Sequence, residues 1–293
     1  MTMNKNKKNS SATPPNDSQS GQRAKLRFWG VRGSLPVGPS RYGSHTSCVE
    51  IELAEGVSVF FDGGTGILPA LSQRSFRKIF LCLSHFHWDH IQGIPFIPRI
   101  DEPEFEMQLV TGFEDTWERL GVLFDPRFHP VAFDSIQRNI KLQYLKPGES
   151  LKIENFELSL APLNHPGKSY AFRLQSRQTS FIYATDSDYL SISPEAEHLF
   201  QNGNFAVLDS QFLVGDSLSK AHYGHASFKR AIDVAARFGI GNSFLFHFDP
   251  NYTDKDLSAL ETQAKDYARD AYASTNTRVK MAVEGQTEEI WFD

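Results

Sequence analysis

The sequence predicts an α/β fold, α+β in some schemes, with two sheets covered by helices. Three features lead there. Strand-like apolar runs come in blocks, without the regular strand–helix alternation of a single parallel sheet. Capped helical stretches interrupt those blocks, mostly beyond residue 190. No linker-like stretch follows residue 25, and 293 residues are enough for one large core, so 25–293 is expected to be one domain.

Residues 1–24 are rich in Asn, Ser, Lys and Pro and have almost nothing to bury, which predicts a disordered tail. The tail has no apolar h-region, so no secretory signal is expected. No run in the chain reaches the roughly 18–20 apolar residues of a membrane span. A cytoplasmic protein without a membrane partner is the expectation.

From Lys25, "KLRFWG" alternates and stops at glycine. "TSCVEIEL" and "VSVFF" form a hairpin across "AEG". "FFDGGTGILPAL" is a strand end, a glycine turn and a helical start. "KIFLCLS" is a strongly apolar strand. Residues 95–138 read as a looser region holding one helix, "FEDTWERLGVLF". Strands follow in "IKLQYL", "FELSLAPL", "YAFRLQ", "TSFIYATD", "FAVLD" and "SFLFHFDP". Ser193 and Ser227 can cap helices in "SPEAEHLFQNG" and "SFKRAIDVAARFG", and "TDKDLSALETQAKDYARDAYA" is a long helix with a polar face.

Net charge is −5; the tail contributes +3 (Lys5, Lys7, Lys8 and Arg23 against Asp17), which leaves −8 on the rest. A body of that sign suits long nucleic acid poorly, because that partner rewards clustered Lys and Arg. Cys48 and Cys82 are too few for a disulfide framework and are expected as reduced core thiols.

"SHFHWDH", residues 84–90, crowds three histidines and an aspartate. Such donors suit a borderline metal ion. His85 and His87 lie two apart, so on an extended chain they share a face and one metal. His90 breaks that period. The chain must then turn after Trp88, which aims Asp89 and His90 at a second metal. His165, Asp186 and His247 each follow a strand, where a sheet presents side chains to a common rim. Together these are seven donors, the number for two five-coordinate ions sharing a carboxylate and a water.

"LSHFHWDHIQG", "APLNHPG", "IYATDSD", "YGHASF" and "LFHFDP" together resemble the metallo-β-lactamase superfamily, most closely its tRNase Z and small-phosphodiesterase branch. "FWGVRGSLP", "SHTSCVEI" and "FFDGGTG" are similar to bacterial members of that branch. The resemblance spans about residues 25–293. It implies an αββα sandwich with two divalent ions at one edge, zinc first, with manganese or iron also suited to such ligands. His85, His87 and His165 would hold one ion and Asp89, His90 and His247 the other, with Asp186 bridging. A histidine at 87, where oxygen reductases of this fold carry a carboxylate, favours hydrolysis over redox chemistry.

Only 20 residues separate His165 from Asp186. Long-armed tRNA-processing relatives carry a gripping arm in that interval, so a small phosphodiester, such as a cyclic nucleotide or cyclic phosphate, is the expected substrate. No long nucleic acid is expected. In the resembled branch a histidine ahead of a capped helix serves the leaving group, a role that falls here to His225, with His222 as a weaker candidate. A water shared by two metals has its pKa lowered towards about 7 and becomes the nucleophile. Asp89 is a catalytic as well as a ligand candidate. Asp62 is a candidate to fix a ligand tautomer from behind. Phe124, Phe128 and Phe133 are candidates for an aromatic wall over the metals, and His129 is set aside. The same centre also suits a carboxylic ester, thioester or lactone, a tRNA 3′ end, or a nucleotide bound without turnover. Homodimers are common in the resembled branch.

Overall fold

A computed structural model describes residues 22–292, the side chains of 217–219 excepted. The tail expected over 1–24 lies outside the described residues as far as 21. From Gln22 the chain is already strand, so that boundary falls three residues too late. The reason is tertiary. β1 (Gln22–Gly30) pairs from its first residue with β14 (Thr287–Phe292), far away in sequence. Arg23 also meets Glu289, and Gln22 Nε2 donates to Leu53 O.

Among the described residues, fourteen strands form two seven-stranded sheets. The first holds β1, β2 (Cys48–Ala54), β3 (Val57–Phe61), β4 (Lys78–Leu83), β5 (Met107–Thr111) and β6 (Ile140–Tyr144), with β14 outside β1. The second runs in chain order through β7 (Ser150–Ile153), β8 (Phe156–Leu163), β9 (Ser169–Gln175), β10 (Ser180–Ala184), β11 (Phe205–Asp209), β12 (Asn242–Phe246) and β13 (Arg278–Met281). Both sheets are mixed. The first is antiparallel up to β3 and parallel from β3 to β6. The second is antiparallel up to β10 and parallel from β10 to β13. β3 and β10 are buried along their whole length, as strands covered on both faces must be, and each is apolar but for one buried serine, Ser58 and Ser180.

Residues 95–138 are more ordered than expected. "MQLVT" is β5, inserted between β4 and β6, where a five-residue run flanked by polar residues carries little local signal. Helices α1 (Ile67–Ser72), α2 (Trp88–Ile91), α3 (Thr116–Leu123) and α4 (Phe133–Gln137) belong to the first half of the chain. Helices α5 (Pro194–Phe200), α6 (Val214–Ser219), α7 (Phe228–Arg237) and α8 (Asp254–Ala271) belong to the second. Ser193 and Ser227 cap α5 and α7, and Thr253 with Asp256 makes a capping box on α8. Aromatic rings join the sheets: Phe28 meets Phe244 at 5.1 Å between centroids, and Phe61 stacks on Tyr183 at 5.3 Å. Cys48 and Cys82 are buried free thiols. Among the described residues no helix is long and apolar enough to cross a membrane.

Candidate metal centre

The site lies beyond the carboxyl ends of the parallel strands, the usual binding edge of such sheets. β4 stops at Leu83, so His85 and His87 are on a loop and not on a strand as their spacing suggested. His87 is the N-cap of the one-turn helix α2. That turn buries Asp89 and His90 and leaves Trp88 outside. His165 follows β8, Asp186 follows β10 and His247 follows β12. Asp62, Asp186 and His247 take positive φ (63°, 57° and 68°), a left-handed conformation costing a non-glycine residue about 1–2 kcal/mol. The sharp bend swings each side chain off its strand.

The seven donors come together in two groups. Ligand atoms of His85, His87, His165 and Asp186 lie within 4.8 Å of one another, as do those of Asp89, His90, Asp186 and His247. Asp186 belongs to both. Its Oδ1 is 3.5 Å from His85 Nε2 and 3.7 Å from His165 Nε2. Its Oδ2 is 3.2 Å from His90 Nε2 and 3.4 Å from His247 Nε2. Asp89 Oδ2 is 2.9 Å from His247 Nε2.

Hydrogen bonds behind the rings assign their tautomers. His90 Nδ1–H donates to Asp62 Oδ2 at 2.7 Å. Ser84 Oγ donates to the same oxygen at 2.7 Å, so it must accept from His85 Nδ1–H at 3.0 Å. Asp62 thereby orients one histidine of each group, directly or through Ser84. Tyr183 OH donates to Asp62 Oδ2 from the other sheet at 2.8 Å. His165 Nδ1–H donates to Gly224 O at 3.1 Å and His247 Nδ1–H to Gln211 Oε1 at 3.1 Å.

In the neutral rings of His85, His90, His165 and His247 the inner nitrogens are consequently lone pairs. His90 Nε2 and His247 Nε2 are 3.1 Å apart, and His165 Nε2 is 3.1 Å from His87 Nδ1. Among the described residues His85 Nε2 is buried with no hydrogen-bond partner. Opposed lone pairs and an orphaned buried acceptor are what a bound cation relieves, so the donor set fits divalent metal ions. The electrostatics agree. Burial opposes ionisation of Asp186, but the imidazoles of His247, His90 and His85 hold its carboxyl well below the usual range. Burial pushes His85, His87 and His165 down, which keeps them neutral ligands. Burial also disfavours a charged His90, yet Asp186, Asp89 and Asp62 raise its pKa well above the ordinary value, so that in the metal-free chain a proton on His90 takes the place a cation would hold among these carboxylates.

His225 stands between the groups, 5.0 Å from both the His165 and His247 rings. Its Nδ1 is 2.7 Å from Asp209 Oδ2. Burial works against its charge, but Asp209 and Asp186 outweigh it and raise its pKa. Sequence reasoning missed Asp209. A carboxylate closing the apolar strand "FAVLD" looks like any strand end, yet it also accepts from the Asp186 and Ala226 amides. Gln211 and Ser34 were missed as well; Ser34 N–H donates to Asp89 Oδ2 at 2.6 Å. A signal for that loop exists in "VRGS", because a Cβ at Gly33 would lie 2.6 Å from the His247 ring.

One expectation is corrected. Phe124 is 1% exposed, packed in the core against Phe133 and His129, so neither Phe124 nor its stacking partner Phe133 forms a wall over the centre. A Pro-rich aromatic run does not say which rings turn inward, and only Phe128 is left outside, 75% exposed. His222 is on an exposed 3-10 turn and its ring packs on Tyr223, outside both donor groups.

Two mixed sheets with a histidine–carboxylate centre at one rim define a hydrolase of the metallo-β-lactamase fold. The profile of the beta-lactamase superfamily domain matches residues 67–248, more than half of the chain, and the chain belongs to that superfamily. A ribonuclease Z of Picrophilus torridus is 23% identical, over 91% of this chain and 98% of its own. Two solved structures share the fold. A diphosphatase from the PhnP family has a TM-score of 0.68 at 17% identity, covering 92% of this chain and 98% of its own. Unliganded yeast PDE1 has a TM-score of 0.69 at 16% identity, covering 92% and 99%. The ribonuclease Z relative removes the support that net charge lent to excluding long nucleic acid: an overall sign says nothing of a local RNA-binding face.

Proposed function

We propose that residues 22–292 form one catalytic domain that hydrolyses a small phosphodiester, such as a cyclic nucleotide or cyclic phosphate. The observation that carries this reading is His225, held by Asp209 between the two donor groups. The likenesses to a PhnP-family diphosphatase and to PDE1 support it.

His85, His87 and His165 would hold one divalent ion, and Asp89, His90 and His247 the other, with an Asp186 oxygen on each; zinc suits this mixture best. When bound, such ions supply Lewis acidity and an activated water. The protein's own groups do the rest. Asp62, Gln211 and the Gly224 carbonyl keep the ligand lone pairs pointed inward. Asp89, whose carboxylate accepts from the Ser34 amide, would also steer the attacking water. Asp209 holds His225 Nδ1–H, so the protonated ring has Nε2–H to give. As water oxygen bonds to phosphorus and the P–O bond to the leaving group breaks, that proton passes to the departing oxygen.

Purified protein with zinc or manganese should cleave bis-p-nitrophenyl phosphate. His225→Ala should lower kcat by about 10²–10⁴-fold, with metal content unchanged. Undiminished turnover in that variant removes the acid. A panel in which esters, thioesters or lactones react and phosphodiesters do not removes the whole reading.

A second reading, tRNA 3′ processing, is favoured by the ribonuclease Z relative. Against it, the interval from His165 to Asp186 folds as the β9–β10 hairpin, closed by a turn at 176–179, with no arm. Cleavage of a precursor tRNA at a rate above that of the small substrate would reverse the order of the two.

A further inference from the structure

Beside the centre is a cavity of about 540 Å³, within the size range of small-ligand sites, that the chemistry above does not use. Trp88, Phe96, Val122 and Phe128 wall it, and three of these are bulky rings left in water: Trp88 and Phe96 are 63% exposed and Phe128 75%. Exposed aromatic groups gathered round one hollow mark a binding surface. The hollow is tied to the centre by the chain itself. Trp88 sits between His87 and Asp89, and Gln92 follows His90 by two residues.

The lining selects its occupant. Among the described residues no Lys, Arg, Asp or Glu borders the cavity, so a charged group would find no counterion there. An aliphatic chain would leave its polar atoms unused. His129 Nδ1 accepts from Val131 N–H at 3.3 Å, which leaves Nε2–H as a donor. Gln92 Nε2 donates to Thr46 Oγ1 at 2.9 Å, which leaves Oε1 as an acceptor. Flat aromatic faces, one donor and one acceptor match a neutral heteroaromatic ring with polar edges.

We propose that this cavity receives a nucleobase, and that the substrate is therefore a nucleoside phosphodiester whose base packs among Trp88, Phe96 and Phe128 while its phosphate lies at the centre. The assignment rests on the phosphodiesterase reading for the second half of that statement only.

The test is a fluorescence titration of the full chain, stripped of metal, with 2-aminopurine riboside, whose emission falls on stacking. Saturable quenching is expected, competed by adenosine and not by ribose. Phe128→Ala and Phe96→Ala should each weaken it by about tenfold. Both side chains are mostly in solvent, so the fold survives either change. Absence of saturable quenching, equal quenching in both variants, or stronger competition by octyl glucoside than by adenosine would overturn the base site. Base binding without turnover of any phosphodiester would instead sink the phosphodiesterase reading and leave the base site standing.

Discussion

Asp62 and Asp186 occupy the same place in the two sheets. Each follows the strand at which its sheet turns from antiparallel to parallel, β3 for one and β10 for the other. Each takes a left-handed backbone, and each is buried and beside histidines. Their partners differ. Asp62 is saturated by donors: Ser84 N–H, Ser84 Oγ, Tyr183 OH and His90 Nδ1–H. Asp186 receives one protein hydroxyl, from Thr185, and otherwise faces inner imidazole nitrogens. A carboxylate whose oxygens are satisfied by the protein supports a site. One left facing lone pairs is available to a cation. The backbone device is shared, and the neighbours decide the role.

The largest effect should follow Asp186→Asn, because this one side chain serves both groups. Metal per chain, measured by elemental analysis after gel filtration, should fall from about two to one or fewer. Turnover should drop by more than the roughly 10–100-fold that loss of an outer partner costs. The metal-free chain should unfold at nearly the same denaturant concentration, since little in the protein depends on that carboxylate. A variant that keeps two ions would break the contrast between the two carboxylates.

Asp62→Asn should invert the balance. Metal affinity or activity should fall by about 10–100-fold, because His90 and, through Ser84, His85 lose the anion that fixes their tautomers. The metal-free chain should also lose at least the roughly 1.5–3 kcal/mol of one charged hydrogen bond in denaturant unfolding. Wild-type stability in the variant would mean that Asp62 is no anchor, and its burial would then need another reason.

This contrast was only partly legible in the sequence. The seven donors were visible because a cluster such as "SHFHWDH" has no bland explanation, and three more donors follow apolar strands. Asp62 was visible as a candidate through the glycines after it. Asp209 and Tyr183 were not. One closes an ordinary apolar strand and the other lies inside one, and their partners are 16 and 121 residues away. The reason given for pairing His85 with His87 was also local, strand alternation, whereas a loop and the cap of α2 bring them together. β5 escaped notice for a related cause: its identity depends on β4 and β6 beside it more than on its own five residues. Local pattern finds residues of unusual chemistry, and tertiary partners decide which ordinary residues support them.

Tyr183→Phe should have the smallest effect and is the finest probe of the comparison. Tyr183 belongs to β10, the strand that leads to Asp186, yet its hydroxyl serves Asp62 across the sandwich. Burial and then the Asp62 charge push its phenol well above the ordinary range, so it stays a donor. The change keeps the ring that stacks on Phe61 and removes one of four donors to Asp62. Ser84 and His90 still hold that carboxylate, so activity should fall by less than about tenfold and metal content should hold. Stability should still drop by about 1.5–3 kcal/mol, because a buried anion loses a partner. If turnover instead falls as far as in Asp62→Asn, the second sheet does more than deliver Asp186. Its phenol would then also set the charge behind His90, and the division of labour between the two sheets would have to be redrawn around the Tyr183–Asp62 bond.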